Sequence, residues 1–115
     1  MDKIKLPFDW PLYVSVCSEK ELNNDTKKLK LNFKFNKEDK VHGVAEFIYK
    51  ESPDESFFIM WVNKSRPEYL YFLLHEIHHI VHMYCKHLEI EDEEFSAYLF
   101  EDICKQLKLF KDNSK

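Results

Sequence analysis

Glycine is almost missing from this chain: Gly43 is the only one in 115 residues. Its connections must therefore rest on Asn, Asp, Pro and Ser rather than on glycine turns. Cysteine is scarce and unpatterned. Cys17, Cys85 and Cys104 are far apart and odd in number, and no CxxC pair occurs. That excludes a disulfide framework and a cysteine zinc knuckle, and points to reduced thiols. An excess of basic charge is also lacking. The formal net charge of −4 leaves no footprint for nucleic acid. No apolar run approaches the length of a bilayer span, so no membrane partner is expected. Met1-Asp2-Lys3-Ile4-Lys5-Leu6-Pro7 lacks the apolar core of a signal peptide. A cytoplasmic location is the expectation.

What is present suffices for one core. Hydrophobic residues make up 44% of the chain and aromatics 16%, so residues 1–115 are read as a single domain. Residues 1–11, with Pro7 and Pro11, read as an irregular lead-in. Leu12-Tyr13-Val14-Ser15-Val16-Cys17 alternates and reads as a first strand. Ser18-Glu19-Lys20-Glu21 is a capping box, so a helix is expected from Glu19 to about residue 30. Beyond it Leu29, Leu31, Phe33 and Phe35 alternate like a strand, while Leu22, Thr26, Leu29 and Phe33 fit a helical stripe. Val41 to Tyr49 and Phe57 to Val62 read as two further strands, joined by the turn Glu51–Ser56. So short a connection implies an antiparallel pair. A long helix to about Leu88 follows, then a break at Glu89-Ile90-Glu91. A last amphipathic helix runs from Asp92 to about Phe110, carrying Phe95, Leu99, Phe100, Ile103, Leu107 and Phe110. Residues 111–115 should fray. The order is β-α-β-β-α-α. The fold class is α+β, with a small, largely antiparallel sheet of about three strands packed on helices.

The long helix carries the chemistry. Ser65-Arg66-Pro67-Glu68 reads as a capping box with proline in the first turn. It leads into His75-Glu76-Ile77-His78-His79. His75, Glu76 and His79 form H-E-x-x-H. Positions i and i+4 share a helix face, so two imidazoles one turn apart can bind one zinc ion. Glu76 is placed to activate a zinc-bound water as general base. The flanking Tyr69, Leu70, Phe72, Leu73, Leu74, Ile80 and Val81 make this a largely buried helix. A buried histidine or glutamate needs a partner, and a metal supplies one.

A catalytic zinc usually has three protein ligands and an open position. Acids at a helix start complement its dipole in any case, but Glu94 begins Glu94-Phe95-Ser96-Ala97-Tyr98. Ala97, one turn on, is small enough to let this helix approach the first. Glu94 is therefore expected to point toward the histidine pair. Tyr98 and Glu101 share its face and are candidates for orienting the histidines, with a solvated role as the alternative for Glu101. His82 lies three residues after His79 and seven after His75, so it would reach the metal, line the cleft, or remain a capped or solvated histidine. His78 points about a quarter-turn away. The metzincin pattern fails, because its glycine position is His82 and its last histidine is Cys85. For the oxyanion, Tyr98, His82 and Tyr84 are the candidate stabilisers.

At this point the chain resembles a family. H-E-x-x-H followed closely by a helix bearing E-x-x-A is the gluzincin arrangement in miniature. The layout is similar to small metallopeptidase-like proteins of bacteriophages and prophages, whose patterns L-x-H-E-x-x-H and E-x-x-A-Y match Leu73, His75, Glu76, His79, Glu94, Ala97 and Tyr98. The resemblance is specific over residues 73–98. It implies a minimal zincin-like fold, Zn2+ held by His75, His79 and Glu94, Glu76 as general base, and the host cytoplasm as location. Larger gluzincins often place an aspartate four residues after the ligand glutamate, where Tyr98 stands here.

Two functional expectations follow, beside the plain alternative of a small α+β protein without metal. One is a zinc metallopeptidase acting on a peptide or protein substrate, which would add as a strand to the sheet edge around Phe57–Val62. The other is a non-catalytic module in which zinc ties the last two helices together and a protein partner is bound.

Overall fold

The computed structural model describes residues 2–18, 21, 24, 43–49, 56–65 and 67–109. Four strands form one sheet: β1 (Asp2–Lys5), β2 (Pro11–Cys17), β3 (Gly43–Ile48) and β4 (Phe57–Asn63). Two helices follow, α1 (Tyr69–His87) and α2 (Glu93–Gln106). The sheet order is β1-β2-β4-β3. β1 and β2 are antiparallel, as are β3 and β4, but β2 and β4 are parallel. The α+β class therefore stands, whereas the expected three-stranded, largely antiparallel sheet is corrected to a mixed sheet of four strands.

Each correction has a physical reason. The expected irregular lead-in holds β1, whose sequence Asp2-Lys3-Ile4-Lys5 contains one apolar residue. A single Ile4, buried at 3% exposure, carries no visible alternation. The parallel pairing of β2 with β4 places Leu12 beside Phe58 and Val14 beside Met60. It joins segments far apart in sequence, and strand patterning alone reads only neighbours joined by short turns. The antiparallel pairing of β3 with β4 agrees with the short connection between them.

β4 is buried from Phe57 to Val62, because it lies between two other strands. Its unbroken apolar run fits an interior strand better than an edge. One face of the sheet, with Ile4, Leu12, Val14, Phe58, Met60 and Val62, packs against Leu73, Ile77, Ile80 and Tyr84 of α1 and Leu99 and Ile103 of α2. On the other face Trp61 and Cys17 pack with Val44.

Scarce glycine shows in the connections. The turn between β1 and β2 places Phe8 and Asp9 at φ 62° and 64°, closed by Leu6 N–H donating to the Trp10 carbonyl at 2.8 Å. Both helices end in Schellman caps. After α1, Glu89 N–H donates to the Lys86 carbonyl and Ile90 N–H to that of Cys85. After α2, Lys108 N–H donates to Lys105 and Leu109 N–H to Cys104. The left-handed position is filled by Glu89 (φ 56°) and Lys108 (φ 54°) rather than glycine.

Of the helix expected from Glu19, Glu21 and Asn24 are described and are helical. The Ser18 hydroxyl accepts the Glu21 N–H at 3.3 Å, the first bond of a capping box, and donates to the Glu21 carboxylate at 3.2 Å. The rest of that helix, the 29–36 segment and the 111–115 tail lie outside the described residues. No described helix is long and apolar enough to cross a membrane.

Candidate metal centre

α1 starts one turn later than the expected capping box. Ser65 N–H donates to Asn63 Oδ1 at 3.0 Å, so the asparagine side chain closes a local turn in competition with a helix start. Glu68 becomes the N-cap without a side-chain bond, and Tyr71 N–H takes its carbonyl at 2.9 Å. From Tyr69 the helix is continuous to His87. It is amphipathic rather than buried all round. Leu73, Glu76, Ile77, Ile80, Val81, Tyr84 and Cys85 face inward, while His75, His78, His79 and His82 are exposed.

The one-turn spacing brings His75 and His79 together. Their Nε2 atoms are 3.0 Å apart, with rings edge-on at 81° and centroids 4.6 Å apart. A ligand atom of Glu76 lies with them, all three groups falling within 4.8 Å of one another. Two nitrogens sharing a zinc ion at about 2.0–2.1 Å each must lie within about 4 Å of each other, and 3.0 Å satisfies that. Without a metal the same approach is a hydrogen bond between two neutral imidazoles, one donating. Partial burial, followed by the neighbouring His75, His78 and His82, holds His79 below the ordinary imidazole range. That favours the neutral ring, the form that ligates metal.

Glu76 is the inward member of the trio, 7% exposed. Burial raises its carboxyl above the usual range, and the charge of His75 opposes that rise. Its side chain lies against the start of β3. A Cβ on Gly43 would stand 3.2 Å from Glu76 Cγ and 2.6 Å from the Trp61 carbonyl oxygen. The single glycine is thus required where the edge strand crosses over the glutamate. A lone glycine inside a strand pattern is a signal of close approach, and it was legible in the sequence. Farther along β3, Phe47 packs on His87, the last residue of α1, at 4.8 Å between ring centroids, and Trp10 meets the same ring at 5.0 Å. β3 therefore runs beside α1 from Glu76 to His87.

The structure does not bring the remaining expected residues to the pair. α2 is capped by Asp92, whose carboxylate accepts the N–H groups of Glu94 and Phe95. Its packed face is Phe95, Ser96, Leu99, Phe100, Ile103 and Cys104, with Ser96 Oγ 3.4 Å from Cys85 Sγ on α1. Glu94, Ala97, Tyr98 and Glu101 form the opposite, exposed stripe. Ala97 is not the close-approach point expected of it, and Glu94 is not in the group that gathers at the histidines. Glu101 is paired with Lys105 at 2.9 Å, and Tyr98 is 65% exposed. Tyr84 is turned to the core, where its hydroxyl donates to the Pro7 carbonyl. His82 is exposed on the histidine side of the helix. The sheet edge also moves: β4 is interior, and among the described strands β1 and β3 form the edges.

In comparison with known proteins, the chain matches no family model, no curated protein and no solved structure.

Proposed function

We propose that this chain is a zinc-binding, metallopeptidase-like protein of minimal gluzincin type, with the small zincin-like fold that its resemblance to phage and prophage proteins implies. The observation that carries the reading is the 3.0 Å approach of His75 and His79 Nε2 beside the carboxyl of Glu76. His75 and His79 would hold Zn2+. Glu94 enters as third ligand on its E-x-x-A-Y pattern alone, without support from the geometry. When bound, zinc supplies a Lewis acid that polarises a carbonyl and makes water acidic. Glu76 would then serve as the proton acceptor from water and the proton donor to the leaving amine. Its partial burial suits this role, because a carboxyl held above its usual range is a better base toward water near neutral pH.

Among the described strands β3 is an edge, and the substrate would lie along it. An extended peptide pairing there would pass the histidine pair, because Gly43 lies against Glu76 at one end of the strand and Phe47 against His87 at the other. The discriminating experiment is hydrolysis of a peptide library by the zinc-loaded protein. Glu76→Gln should abolish turnover while keeping the metal, and unchanged turnover would sink the mechanism.

A second reading, a zinc-holding module that binds a partner without cleaving it, is favoured by the tyrosines. Tyr84 is committed to Pro7, and Tyr98 stands on the outer stripe of α2. Zinc binding with no turnover by wild type, and a partner lost on disrupting β3, would support it.

A further inference from the structure

His75 and His79 are not the only histidines one turn apart on α1. His78 and His82 repeat the spacing three residues on, within the same continuous helix. Both are exposed, and the packing of α1 uses neither. A shift of three residues turns the second pair about 60° around the axis from the first. The second pair thus presents its own face to solvent beside the first. The two pairs are close: the His78 and His79 rings are 6.3 Å apart.

We propose that His78 and His82 form a second cation site on the exposed side of α1, separate from the pair His75 and His79. The first pair shows that this spacing lets two Nε2 atoms approach to 3.0 Å on this helix; His78 and His82, both exposed, would reach the same approach by side-chain rotation. Two imidazoles select a borderline transition cation such as Zn2+, Ni2+ or Cu2+ over Mg2+ or Ca2+, which prefer oxygen. Among the described residues no acid or thiol joins His78 and His82 in a group of three. Water therefore fills the remaining positions, and the site is the weaker and more readily exchanged of the two. The helix as a whole then carries a row of four imidazoles that takes two ions.

The test is the stoichiometry of Zn2+, and separately of Ni2+, bound by the metal-free full chain, read by calorimetry. Wild type should take two equivalents of unequal affinity. His78→Ala and His82→Ala should each lose the weaker one and keep the tighter, and His75→Ala should keep the weaker. All three positions are exposed and helical, where alanine is well tolerated, and circular dichroism checks that the helix is retained. Saturation of wild type at one equivalent that His75→Ala removes would overturn the second site and leave the first standing. A second equivalent that survives both His78→Ala and His82→Ala would also overturn it. A single equivalent lost in His78→Ala but kept in His75→Ala would instead sink the proposed catalytic site and leave this one.

Discussion

Gly43 leaves no room for a side chain facing Glu76, where the edge strand meets the histidine-bearing helix: a Cβ at residue 43 would meet Glu76 Cγ at 3.2 Å and the Trp61 carbonyl oxygen at 2.6 Å. The second contact is to backbone, so a side chain cannot be accommodated by a rotamer change alone. Gly43→Ala should therefore displace the start of β3 and the glutamate beneath it. The expected cost is about 1–3 kcal/mol, in the range of overpacking substitutions, measured as the shift in urea midpoint. Ala45→Gly on the same strand should lose stability without moving Glu76. Any turnover should fall more in Gly43→Ala than in Ala45→Gly.

Tyr84 supplies a prediction at alkaline pH. Burial first, and the neighbouring Cys85 second, push its phenol up to about 12. An unfolded chain releases the same proton near about pH 10. The folded state therefore binds this proton more tightly, and the stability it confers is whole below about pH 10 and is lost as pH rises through about 12. Tyr84→Phe should flatten that alkaline loss. At neutral pH it should cost about 1–2 kcal/mol, because the Pro7 carbonyl loses its donor. Thermal melts of both proteins from pH 8 to 12 check the sign and the size.

Much of this fold was legible because local chemistry and tertiary position agree. β2 alternates and β4 runs apolar in register with the faces they bury, and Asp92 marks the start of α2 as a capping side chain. Where they disagree the sequence misleads. Ser65 and Glu68 have the spacing of a capping box, yet Asn63 takes the Ser65 N–H first. β1 owes its place to pairing with β2 rather than to its own pattern. At the site, helix spacing alone placed His75, Glu76 and His79 together. Glu94 lies on another helix, and which face that helix turns inward is decided by Phe95, Leu99 and Ile103, not by the E-x-x-A-Y pattern.

Both Schellman caps carry removable strain. Glu89 and Lys108 hold left-handed φ values of 56° and 54°, a conformation costing a residue with Cβ about 1 kcal/mol that glycine avoids. Glu89→Gly and Lys108→Gly should each stabilise the chain by about 0.5–1 kcal/mol, read as a higher melting temperature. Glu89→Val should destabilise it, since a β-branched side chain is least tolerated there.

The most direct measurement is the tightly bound zinc content of the purified chain after metal stripping and dialysis against Zn2+ at neutral pH. The result expected is a tight equivalent that Glu76→Gln retains and His75→Ala loses, because His75 and His79 present their nitrogens 3.0 Å apart while Glu76 lies inward beside them. A chain that takes up no zinc, or one whose tight zinc is unchanged in His75→Ala, would contradict it.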